Sequence, residues 1–215
     1  MVKNNTSRKG FTLIELLVVI AIIAILAVVV VLTLNPAQLL AQARDSNRVS
    51  DFATLSSAIG LYEADVATTT WLNGASSGLA TSTIMVSGTT TVQIADMTST
   101  TCGTLPGTGW GFLGGETVVS STVAQGATAR AINGTGWIPI DFAAISSGAP
   151  ISSLPVDPIN AGANVYAFVG GQTTYKLATK MESTKYSDGG SNDVESTDGG
   201  NSPCTYEQGT AVTAF

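Results

Sequence analysis

The stretch from Phe11 to Leu34 constrains this chain most. It is 24 residues long, holds one ionisable side chain, Glu15, and contains neither proline nor glycine. As an α-helix it extends about 36 Å, enough to cross a bilayer core of roughly 30 Å. A short polar leader with Lys3, Arg8 and Lys9 precedes it. Basic residues on one flank hold that end in the cytoplasm, which sends the rest of the chain outward. A carboxylate in hydrocarbon is costly, so Glu15 reads as a functional residue that needs a partner. A conventional cleaved signal has an apolar core of about 7–15 residues. Ala41-Gln42-Ala43 has the small residues of a cleavage site, but the run is too long and would leave Glu15 without a role. A plain signal anchor fails on the same residue.

The junction between leader and run is Lys9-Gly10-Phe11-Thr12-Leu13-Ile14-Glu15. From Gly10 to Glu15 it resembles the processing site of type IV pilins and type II secretion pseudopilins. The resemblance implies cleavage between Gly10 and Phe11 by a prepilin peptidase, N-methylation of Phe11, and a helix that is kept. Glu15 then becomes the fifth residue of the mature chain, where the family has its glutamate. It implies a long N-terminal helix packed on a small antiparallel β-sheet head, an α+β pilin-like fold. Beyond the N-terminal helix the resemblance is looser.

Composition narrows the function classes. The net charge is −6, and removing the leader leaves six basic against 15 acidic side chains. A specific nucleic-acid footprint needs a basic face, so none is expected. There is no histidine, which removes the commonest general base and metal ligand. Ser–His–Asp and Cys–His arrangements are impossible, no carboxylate pair stands out, and no enzyme is expected. Cys102 and Cys204 are far apart and in no CxxC pair. Outside the cytoplasm a structural disulfide is the natural reading; two buried thiols are the alternative.

The rest of the chain divides by pattern. Asn35-Pro36 predicts a kink or local melting, not a helix end. From Ala37 to about Asp65 the helix resumes, with Val49, Phe52, Leu55, Ile59 and Tyr62 on one stripe. Arg44, Asp45, Arg48 and Asp51 populate the other side. Thr83–Ser87 and Thr90–Ala95 alternate about Gly88, a candidate hairpin. Val165–Val169 and Thr173–Thr179 flank Gly170-Gly171, a stronger one, with Tyr166, Phe168, Tyr175 and Leu177 for its buried face. Between them Trp110, Phe112, Trp137, Ile138, Ile140 and Phe142 are candidate anchors. Leu154-Pro155-Val156-Asp157-Pro158 is a turn with two fixed φ angles.

Three weaker motifs remain. Gly109-Trp110-Gly111-Phe112-Leu113-Gly114 matches G-x-G-x-x-G without the strand and helix that dinucleotide binding requires. Asn133-Gly134-Thr135 matches a glycosylation triplet, a common accident. The tail holds Asp188, Asn192, Asp193, Glu195 and Asp198 among flexible residues. Oxygen ligands on a bendable loop suit calcium, although the spacing is not that of an EF-hand. The pseudopilin resemblance implies a calcium loop at a similar place; a solvated acidic loop is the alternative.

These readings assign 1–10 to a removed leader and 11–34 to a membrane and filament-core helix. They assign 35–65 to the amphipathic half of the same helix and 66–215 to the head. The expected partners are prepilin peptidase, the inner-membrane assembly platform, membrane lipid before assembly, and further copies of the chain. Three functions compete: a type IV pilus subunit for adhesion, motility or DNA uptake; a periplasmic type II secretion pseudopilin; and a membrane-tethered binding or enzyme domain that never polymerises.

Overall fold

The apolar run does become a helix. The computed structural model describes residues 10–66, 83–87, 119–122, 127–161, 164–170, 174–200 and 202–210. Helix α1 spans Leu13–Leu34 and α2 spans Pro36–Asp65. Asn35, the single residue between them, sits in the left-handed region at φ 39°. Pro36 causes this break. Its ring disfavours helical backbone in the residue before it and supplies no N–H. Asparagine tolerates the left-handed region, and proline suits a first helical position. The Asn35 carbonyl accepts the N–H groups of Gln38 at 3.0 Å and Leu39 at 3.3 Å. One residue therefore closes α1 and opens α2. At the place where a kink or local melting was expected, a one-residue break separates two helices.

The chain forms two compact units, Met1–Leu40 and Ala41–Phe215. In the first, α1 is apolar on all sides and exposed on all sides: Val18 is 48% exposed, Ile25 67% and Leu13 82%. A helix hydrophobic all round belongs in a large core or a bilayer. Leu13–Val31 is long and apolar enough to cross a membrane, and none of it is buried within the protein.

The second unit holds the core. From α2 come Phe52, Leu55, Ile59 and Tyr62 of the expected stripe, joined by Ala58, with Val49 half-buried. Trp137, Ile138, Ile140 and Phe142, further along the chain, pack on them, as do Tyr166, Phe168, Tyr175 and Leu177. Each such side chain contributes roughly 1.5–3 kcal/mol on burial. Phe52 lies edge-on to Tyr166 at 5.1 Å between ring centres and stacks on Tyr206 at 5.7 Å. Gly136 is required by close approach, since a Cβ there would fall 2.1 Å from the Ala131 carbonyl oxygen.

Among the described residues the sheet has five strands: β1 Thr83–Val86, β2 Val119–Thr122, β3 Ala167–Gly170, β4 Tyr175–Thr179 and β5 Tyr206–Gly209. Their order is β2-β1-β3-β4-β5. The β3–β4 pair is the hairpin read from Gly170-Gly171, with Phe168 opposite Leu177. β1 lies between β2 and β3; its expected hairpin partner Thr90–Ala95 lies outside the described residues. The expected antiparallel sheet is present in β1, β3, β4 and β5, and β2 joins its edge parallel to β1. More than 30 residues separate β1 from β2, enough chain for a crossover that a tight turn could not make.

Candidate processing and assembly site

Gly10 precedes α1 in non-helical backbone, exposed, with nothing within 4 Å of where a side chain would stand. Phe11 is 87% exposed. The peptide between them is open to an approaching enzyme. Thr12 is the N-cap of α1, in extended backbone at φ −80° and ψ 149°.

Glu15 has a local partner that charge counting did not suggest. Its carboxylate accepts the Thr12 backbone N–H at 2.8 Å and the Thr12 hydroxyl at 2.7 Å. The Thr12 oxygen in turn accepts the Glu15 N–H at 3.3 Å. This reciprocal capping box satisfies two donors that a helix start otherwise leaves unmade. The signal was legible as Thr12-x-x-Glu15 ahead of an apolar run, a pattern with threonine at the cap and glutamate three residues on. The box uses no atom of residues 1–10, so cleavage after Gly10 leaves it whole. Its carboxylate also lies near the positive end of the α1 dipole.

A second polar constellation sits in the head, on charged residues of α2. Asp45 and Arg48 are fully buried. The Arg48 guanidinium grips Asp157 with two hydrogen bonds, Nε to Oδ2 at 2.6 Å and Nη2 to Oδ1 at 3.0 Å. Its Nη1 reaches Asp45 at 2.7 Å and Glu182 at 3.0 Å. Asp45 also accepts the backbone N–H groups of Glu182 and Ser183, and Arg44 bonds Glu182 at 2.6 Å. Burial works against the Arg48 charge, but Asp157 and Glu182 more than offset it and raise its pKa. Asp51 accepts the Tyr166 hydroxyl at 2.7 Å. Charged residues of α2 therefore clamp the helix to the loops at Asp157 and Glu182. The 3.6-residue period gave no sign of this, because buried ion pairs and solvated ones share the same residue types.

The acidic tail folds upon itself. Asp193 accepts N–H groups of Gly189, Glu195 and Ser196 and the Ser196 hydroxyl. Burial pushes its pKa up, but those donors together outweigh it and hold the pKa below the usual carboxylate range. Glu195 is 2% exposed and accepts the N–H groups of Met181 at 2.7 Å and Asp188 at 3.0 Å. Burial pushes it up to about 7. Asp198 accepts N–H groups of Gly200 and Glu207. Asp188 and Asn192 are exposed. Among the described residues no three acidic, histidine or cysteine side chains gather as a metal cluster. Beside the tail, Lys176 and Glu207 form a fully buried pair at 2.7 Å. Cys204 is buried; Cys102 and the segment Gly109–Gly114 lie outside the described residues.

No curated protein and no solved structure matches the chain. Residues 5–31, which include Gly10, Phe11, Thr12, Glu15 and most of α1, match the prokaryotic N-terminal methylation motif. This chain carries, on an exposed apolar helix capped by Glu15, the signature of type IV pilins and pseudopilins.

Proposed function

We propose that the protein is the structural subunit of a type IV pilus-like surface filament, held in the membrane by α1 and then assembled through it. The methylation motif implies processing by a prepilin peptidase and self-assembly of a pilin-type subunit. The observation that carries the reading is α1 itself: no part of Leu13–Val31 is buried by the chain's own residues. An apolar helix exposed along its length needs lipid first and neighbouring copies afterwards. Cleavage falls between Gly10 and Phe11, and the new Phe11 amine is methylated. In the filament Glu15 pairs with the Phe11 amine of an adjacent copy, fixing axial register, since an unpaired buried charge costs several kcal/mol. The capping box supports this role, because it already holds Glu15 beside the helix start.

Cys204 joins Cys102 in this reading. Cys204 is 1% exposed, and no free cysteine occurs among the described residues. Closing a loop of about 100 residues stabilises a fold by about 4–5 kcal/mol in the chain-entropy view.

The alternative is a type II secretion pseudopilin, which uses the same motif and helix. Electron microscopy of filaments sheared from the cell surface, with mass spectrometry of their subunit, decides between them. Surface fibres built from this chain are the expected result. A chain found only in the periplasm, with secretion lost on its deletion, would establish the pseudopilin.

A further inference from the structure

Asn133-Gly134-Thr135 is a motif that the filament reading leaves unused. In the sequence it is a triplet that arises often by chance. The fold adds independent observations. Asn133 and Thr135 are both exposed, while Trp137, Ile138, Ile140 and Phe142 just beyond them are fully buried. The triplet is closed into a turn by its own side chains. The Thr135 hydroxyl donates to Asn133 Oδ1 at 2.6 Å, and the Thr135 backbone N–H donates to the same atom at 3.3 Å. Gly134 supplies φ +80° at the centre, where a residue with a Cβ would be strained. Both donors fall on the carboxamide oxygen, and Nδ2 has no acceptor among the described residues.

The loop beneath is fixed. Phe142 N–H donates to the Ile132 carbonyl at 2.8 Å, Trp137 N–H to the Ala129 carbonyl at 3.0 Å, and Asn133 forms a bridge with Asp141. A large group on Asn133 Nδ2 would extend from the surface of the head and disturb no core contact.

We propose that Asn133 is an N-glycosylation site, modified by a membrane oligosaccharyltransferase that uses a lipid-diphosphate-linked glycan. In the transfer, Nδ2 bonds to the anomeric carbon of the sugar. The bond from that carbon to the diphosphate oxygen breaks, and the lipid diphosphate leaves with its electron pair. Nδ2 gives one proton to a base of the transferase, and no redox change occurs. Thr135 supplies the hydroxyl that the acceptor triplet requires, and Gly134 meets the exclusion of proline between them. A glycan is bulky and solubilising, which suits a chain with only 11% charged residues. The inference rests on the head lying outside the cytoplasm.

The test is peptide mass spectrometry, with fragmentation that preserves side-chain modifications, on the full chain purified from its own cells. The expected result is a sugar mass located on Asn133. It is retained in Thr135→Ser and lost in Thr135→Val and in Asn133→Gln. The N-terminus is read from the same sample. Bare Asn133, Asn133 converted to aspartate without sugar, or sugar on Thr135, in a chain beginning at Phe11, would overturn the site and leave the filament reading standing. Bare Asn133 in a chain that retains Met1 would contradict both.

Discussion

α1 and the part of α2 beyond Ala41 handle charge in opposite ways. α1 carries one carboxylate over its whole length and settles it at its own N-terminus, through Thr12. α2 carries charge in its middle and settles it against other segments, through Asp157 and Glu182. The difference separates two tasks. A helix destined for lipid or for neighbouring copies must satisfy its polar groups without help from its own head. A helix that anchors a head uses charge to choose which loops dock on it. Buried ion pairs add little net stability compared with apolar packing, but losing one partner is severe.

The comparison breaks most easily at Arg48. Arg48→Ala leaves Asp45, Asp157 and Glu182 around an empty position, and the head is expected to lose about 3–5 kcal/mol. That is a large share of the 5–15 kcal/mol typical of a folded domain, so thermal unfolding of the full chain in detergent should fall sharply. Glu15→Leu in the same assay should leave head melting unchanged while filament yield drops. A stable Arg48→Ala head would mean that the ion cluster does not clamp α2.

Glu195 gives the next effect, and it depends on pH. Its folded pKa of about 7 lies above the ordinary 4.5 because burial outweighs the N–H donors of Met181 and Asp188. Lys180 lowers it and Asp193 raises it. A raised acid pKa means a stabilising contribution complete below about 4.5 and lost as pH rises through about 7. The shift corresponds to about 3 kcal/mol at most. Burial raises Asp198 and Glu207 in the same sense, so the wild-type head should melt lower at pH 8 than at pH 5. Glu195→Gln should flatten that slope in part. An unchanged slope would remove Glu195 from the account.

Smaller effects sharpen the picture of the helix start and the tail. Thr12→Ala removes the cap and should destabilise the first turn of α1 by about 1 kcal/mol. Hydrogen exchange at the Glu15 and Leu16 amides, which bond Thr12, should quicken in a membrane mimic, with the head unaffected. Calcium should matter least. Backbone donors already occupy Asp193, Glu195 and Asp198, so millimolar Ca²⁺ should stabilise the head by less than about 0.4 kcal/mol, the value for an ion at its Kd. A larger rise in melting temperature, abolished by Asp193→Ala with Asp198→Ala, would show that the tail closes around the ion.

What the sequence revealed follows the same division. α1, the Phe52–Leu55–Ile59–Tyr62 stripe and the β3–β4 hairpin were legible, because apolar periodicity and turn residues report local structure directly. The break at Asn35 was half-visible: Pro36 marked the place, but whether a helix bends or restarts depends on a residue able to turn left-handed. The parallel partner of β1 was not visible, since a pairing across more than 30 residues leaves no local trace. The burial of the Arg48 cluster was not legible, because its partners Asp157 and Glu182 lie more than 100 residues away. In the sequence Asp157 stands out only as part of a proline-rich turn. Glu15 was singled out by its isolation, yet its capping box was overlooked although the Thr12-x-x-Glu15 spacing states it.

The central claim is that α1 is retained and begins at the processed Phe11. Intact-mass analysis of the protein taken from filaments or membranes tests this most directly. The account predicts a chain starting at Phe11, carrying one added methyl group on its amine, with uncut precursor accumulating in Gly10→Val. A chain that keeps Met1, or one that starts after Ala43 with α1 gone, would contradict it.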